Sequence, residues 1–74
     1  MKRMKVTLAK VKMFGVDVPV VKVRKEMIFF YDLKKYEPKI KEFEEIFGEG
    51  IWEEVKEKGR IELEVSESLL KKLR

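Results

Sequence analysis

Over residues 4–13 apolar and polar positions alternate with a period of two, which sends successive side chains to opposite faces of a strand. Met4, Val6 and Leu8 share one face, with Lys5, Thr7 and Ala9 on the other. The phase then shifts to Val11 and Met13, with Lys10 and Lys12 between them. Phe14-Gly15-Val16-Asp17 reads as a turn, since Gly supplies positive φ and Asp can bond its own backbone. Residues 18–23, rich in β-branched side chains, read as the return strand. That strand also changes phase, at Val20-Val21. If the hairpin closes at 14–17 the two phase changes lie at the same level of the ladder, and a coil or bulge is expected there. Pro19 cannot donate to a ladder, so it is expected at an edge or at a non-bonded position.

Between Val23 and Met27 stand only Arg24, Lys25 and Glu26, with no turn residue, which argues against a tight hairpin. Either one long strand runs on to Tyr31 or the chain leaves the sheet irregularly, with Asp32 capping a short turn. Pro38 fits the first turn of a helix, where its missing N–H costs nothing. Ile40, Phe43, Ile46 and Phe47 follow at helical spacing, and Gly48 suits the left-handed position after the helix. A second short helix over residues 51–58 carries Ile51 and Val55 with Trp52 nearby, and Gly59 ends it. Residues 60–65 alternate again: Ile61, Leu63 and Val65 lie on one side, Arg60, Glu62 and Glu64 on the other. Ser66 is an N-cap for a final helix carrying Leu69, Leu70 and Leu73.

The order is β-β-(β or loop)-α-α-β-α. It implies an α+β fold: a small, twisted, mostly antiparallel sheet of three or four strands with one main helix, residues 38–47, packed on a face. Ile40, Phe43 and Phe47 are expected to bury against Val6, Leu8, Ile61 and Leu63. With 74 residues, this is one small domain with a marginal core.

Composition narrows the chemistry. The chain has no Cys, so disulfides and thiolate metal sites are absent, and no His, the commonest general base and metal ligand. Asn and Gln are missing too, while Lys (14) and Glu (12) are abundant, a pattern matching hyperthermophile proteins. No apolar run is long enough to span a membrane, and no apolar stretch follows the basic start as in a signal peptide. A cytoplasmic protein is therefore expected. Residues 1–36 carry a net charge of +7 and residues 37–74 of −3; either the halves partly neutralise each other or the basic half faces an acidic partner.

Catalysis has little to stand on. Glu44-Glu45, Glu53-Glu54 and the Glu62/Glu64 pair sit on faces that read as solvated, Ser66 and Ser68 have no base beside them, and no phosphate-binding, nucleophile or metal spacing occurs. No catalytic, cofactor or metal residue is expected, and no cofactor. Nucleic-acid binding is the second reading: Lys5, Lys10, Lys12, Lys22 and Arg24 are expected to line one sheet face and follow phosphates. Residues 21–32 distantly resemble the strand run of the small basic chromatin proteins of hyperthermophilic archaea, although helices over 38–58 have no place in that fold.

The first reading rests on Arg24-Lys25-Glu26-Met27-Ile28-Phe29-Phe30-Tyr31. One possibility is a core strand. The other is a hydrophobic plug: on a helical or 3₁₀ turn Met27, Phe30 and Tyr31 project to one side. This stretch resembles a degenerate PCNA-interacting peptide, whose pattern is a Gln, two variable residues, an aliphatic residue, two variable residues and two aromatics. Met27 matches the aliphatic position and Phe30 and Tyr31 the aromatic pair; Arg24 replaces the Gln and cannot repeat the contacts of an amide. The chain also resembles the archaeal PCNA inhibitors of Thermococcales. That resemblance implies a non-enzymatic interaction module that docks on the PCNA sliding clamp through Arg24, Met27, Phe30 and Tyr31 and inhibits clamp-dependent DNA replication. Lys25, Lys34 and Lys35 would steer such a plug to an acidic surface.

Overall fold

The computed structural model describes residues 3–71. Four strands form one antiparallel sheet: β1 (Arg3–Met13), β2 (Val16–Val23), β3 (Glu26–Phe29) and β6 (Arg60–Ser66). Their order across the sheet is β3-β2-β1-β6. Two short strands, β4 (Tyr31–Asp32) and β5 (Glu37–Pro38), pair as a separate ribbon. Helices α1 (Ile40–Phe47) and α2 (Ile51–Lys58) precede β6, and a short α3 (Glu67–Lys71) follows it. The fold is the α+β arrangement that the periodicities predict. Leu73, expected on the last helix, lies outside the described residues.

Cross-strand partners share a sheet face, so the register assigns the two surfaces. On one face Met4, Val6 and Leu8 line up with Val65, Leu63 and Ile61 of β6, and Val6 and Leu8 also with Val23 and Val21 of β2. This is the core face. Phe43 of α1 and Trp52 and Val55 of α2 are buried against it. Phe43 is the hub, with ring centroids 5.4 Å from Phe30, 5.2 Å from Phe47 and 6.0 Å from Trp52. Ile40, Phe47, Ile61 and Leu63 are only half-buried but pack on this cluster, much as expected. Trp52 is more central than its sequence position suggests.

Three local expectations are corrected. The pairing of β1 with β2 runs without a slip from Val6↔Val23 to Met13↔Val16, so there is no bulge. The phase changes have another cause: Val18 and Val20 point away from the helices yet are fully buried, so β2 is covered on both faces there. Second, Val23 and Glu26 are paired, and a tight hairpin does close over Arg24-Lys25, with Arg24 at φ 56° where Gly is usual. Third, Pro38 belongs to β5, and α1 starts at Ile40 after Lys39.

Pro19 decides where β3 stops. It lies in an interior strand, opposite Lys10. Continuing the β2–β3 register past Val20↔Phe29 sets Phe30 against Pro19, a position where paired residues exchange two hydrogen bonds. The Phe30 N–H donates to the Pro19 carbonyl at 2.9 Å, but Pro19 has no N–H to return. The Phe30 carbonyl instead accepts from the Lys39 N–H at 2.8 Å. The missing donor thus ends the sheet at Phe29 and ties the ribbon back beside it. At the ribbon's turn, Asp32 Oδ1 accepts from the N–H groups of Lys34 (2.9 Å) and Lys35 (3.2 Å), the capping role expected of it. Ser66 Oγ likewise accepts from the Leu69 N–H at 3.3 Å and caps α3.

Candidate protein-interaction face

The stretch 24–31 is extended, so its side chains alternate instead of gathering on one turn. Arg24 is exposed at the tip of the β2–β3 hairpin. Met27, 45% exposed, and Phe29, 46% exposed, point to the sheet face opposite the helices. Phe30, 6% exposed, points the other way into the core beside Phe43 and Phe47. Tyr31 returns to the face of Met27 and Phe29 but is 9% exposed, its ring 5.3 Å from that of Phe14. Of the four residues that the resemblance singles out, Arg24 and Met27 reach solvent, while Phe30 and Tyr31 are packed inside. The plug of Met27, Phe30 and Tyr31 on one helical turn is not formed, because the i, i+3, i+4 spacing joins side chains only on a helix.

A different apolar surface takes its place. On the helix-free face, Val20 lies between its partners Ala9 and Phe29, and Val18 beside Val11. Val16 and Met13 continue the strip toward the first hairpin. Phe14, at that hairpin's turn with φ 52°, is 69% exposed and stands edge-on to Tyr36 at 6.5 Å. Exposure on this face is therefore confined to its two ends, Met27 and Phe29 at one and Phe14 and Val16 at the other, with the fully buried Val18 and Val20 between them. Leu33 and Tyr36 of the ribbon turn are exposed as well. The sequence pattern pointed to the stretch 24–31 but not to Phe14, Val16, Leu33 or Tyr36. Val16 belongs to the strand that follows the turn, and Tyr36 is an isolated aromatic among Lys, Glu and Pro with no periodicity to mark it.

The cations expected on one face are divided. Lys5 and Lys22 point to the helix-free side, where the Lys5 ammonium lies 3.5 Å from Glu62. Lys10 and Lys12 occupy the alternate register, on the helix side, and Lys10 Nζ donates to the Lys56 carbonyl at 3.3 Å. Arg24 stands apart at the hairpin tip. Such exposed pairs contribute little to stability. Glu62 and Glu64 share the face of Lys5 and dilute its positive charge.

A groove of about 510 Å³ opens on the other side, between the β2–β3 turn and α3. Met4, Val23, Ile28 and Leu70 line it, with Arg24 and Lys71 among the charged groups around them. Among the described residues no polar or charged side chain is buried, and no His/Cys/Asp/Glu cluster could hold a metal ion. No helix among them is long and apolar enough to cross a membrane. Comparison with protein-family models, with curated proteins and with solved structures finds no match to this chain.

Proposed function

We propose that this chain is a non-enzymatic protein-interaction module that binds its partner through the helix-free face of the sheet. The observation that carries this reading is the exposure, side by side, of Met27 and Phe29 on that face. Apolar side chains grouped this way are stabilised by a partner's surface more than by water. Aromatic residues and Met are also enriched at interface centres.

The partner we name is the PCNA sliding clamp, with inhibition of clamp-dependent DNA replication in the cytoplasm as the outcome. The support is the resemblance over residues 24–31, of which Arg24 and Met27 are accessible in the folded protein. Phe29, next to the matching pair, supplies the accessible aromatic. Nucleic-acid binding takes second place, because the five cations that would follow phosphates are split between the two sides of the sheet.

Replacing Met27 and Phe29 together with Ala is expected to leave the circular dichroism spectrum intact and to weaken clamp binding at least about tenfold, as measured by calorimetry. Unchanged binding by a folded double variant would remove this face from the interaction. Clamp binding lost only in a Phe30→Ala variant that remains folded would mean that the aromatic pair leaves the core to bind.

A further inference from the structure

We propose that the outer edge of β3 is a strand-docking site, which takes an extended segment of a partner protein with acidic residues at one end. The inference rests on the protein-interaction reading and adds how the partner is held.

The backbone geometry follows from the hairpin. In a two-residue hairpin the closing pair, here Val23 and Glu26, exchanges both hydrogen bonds, and bonded and non-bonded pairs then alternate. Ile28 therefore bonds to Val21, while Met27 and Phe29 turn their N–H and C=O groups away from β2. The bond from the Phe30 N–H to the Pro19 carbonyl, one pair further on, fits the same alternation. Because β3 is the outermost strand, the outward groups of Met27 and Phe29 have no ladder partner among the described residues. The same two residues carry the exposed apolar side chains. A docked strand would thus gain main-chain bonds and apolar contact from the same two positions, the combination by which sheet edges recognise extended peptides.

The two edges of the sheet differ. Along β6, charged Arg60, Glu62 and Glu64 alternate down the helix-free face, a pattern that discourages pairing with another chain. Strand β3 has no Pro, and Glu26 is its sole charged residue. The charge around it selects the occupant. Lys22 lies across the ladder from Met27, Arg24 and Lys25 stand at one end of the strand, and Lys34 and Lys35 lie beyond the other. At that second end Asp32 and Glu37, opposite each other in the ribbon, offset Lys34 and Lys35, so the positive charge is concentrated at the end of Lys22, Arg24 and Lys25. An apolar strand with acidic residues next to the Arg24–Lys25 end complements this edge.

The probe is a short synthetic peptide alternating valine and threonine, with paired glutamates at one end, titrated into the full chain. Amide hydrogen exchange read by NMR should slow at least about tenfold at Met27 and Phe29, and little at Ile28, whose N–H is already in the ladder. Replacing Met27 and Phe29 with Ala keeps both N–H groups; replacing them with Pro removes both without touching a bond to β2. The Pro pair should bind the peptide at least about tenfold more weakly than the Ala pair. No slowing at Met27 and Phe29 in the unmodified chain would overturn the proposal. Equal binding by folded Pro and Ala pairs would overturn it as well, yet leave the apolar face standing as an interface. Slowing that grows with protein concentration in the absence of peptide would place a second copy at the edge, and the assigned occupant would be wrong.

Discussion

Phe29 and Phe30 are adjacent and chemically identical, and the fold gives them opposite tasks. Phe30 fills the core between Phe43 and Phe47, whereas Phe29 is half exposed on the far face. Truncating Phe30 to Ala removes a buried ring and is expected to cost about 3–5 kcal/mol of unfolding free energy. The same change at Phe29 should cost less than about 1 kcal/mol, since its environment is largely solvent. Urea titration of the two single variants measures both; equal losses would mean that the register of β3 has been assigned one residue out. The aromatic run marked residues 24–31 as consequential in the sequence. Which ring lies inside was not legible, because a spacing of three and four is informative only after helix has been distinguished from strand. Here an edge strand of four residues is too short to announce its own period.

The same distinction governs the hairpins, strands and helices. β1, β6, α1 and α2 could be read from the sequence because their periodicity is sustained and glycines punctuate them: Gly48, for instance, ends α1 at φ 125° with its N–H on the Glu44 carbonyl. The β2–β3 turn could not be read, because Arg24 occupies a left-handed position with no Gly, Asn or Asp to signal it. Replacing Arg24 with Gly should relieve that strain and raise stability by about 1 kcal/mol; a loss on thermal unfolding would show that the Arg side chain makes a contribution outweighing its backbone cost. At the other end, Ser66→Ala removes the cap of α3 and should cost about 1 kcal/mol. That loss should appear as faster exchange at the Leu69 amide, and an unchanged rate there would mean the hydroxyl is not a cap in solution. Pro38 misled for a related reason. A first-turn helix and a bridge residue both suit its fixed φ, and only the pairing with Tyr31 separates them.

Helices and sheet depend jointly on Phe43. Its ring is fully buried and touches both a strand exit and the second helix, through Phe30 and Trp52. Phe43→Ala should remove about 3–5 kcal/mol, a large share of the roughly 5–15 kcal/mol that holds a typical domain. Loss of near-ultraviolet dichroism from Trp52 at temperatures where the parent chain is folded is the expected sign; a parent-like melting curve would locate the centre of the core elsewhere. The order β3-β2-β1-β6 has a consequence for the newly synthesised chain. The first three strands are joined by tight turns and can meet as soon as they emerge. The strand that covers the open side of β1 lies more than thirty residues later, at Arg60–Ser66. At a synthesis rate of about 5–20 residues per second, the nascent meander waits a few seconds with Val6 and Leu8 uncovered and a long edge unpaired. In that interval the β1 border of the sheet stays open until translation completes it, and a ribosome stalled before Ile61 would leave a chain that seeks strands from its neighbours.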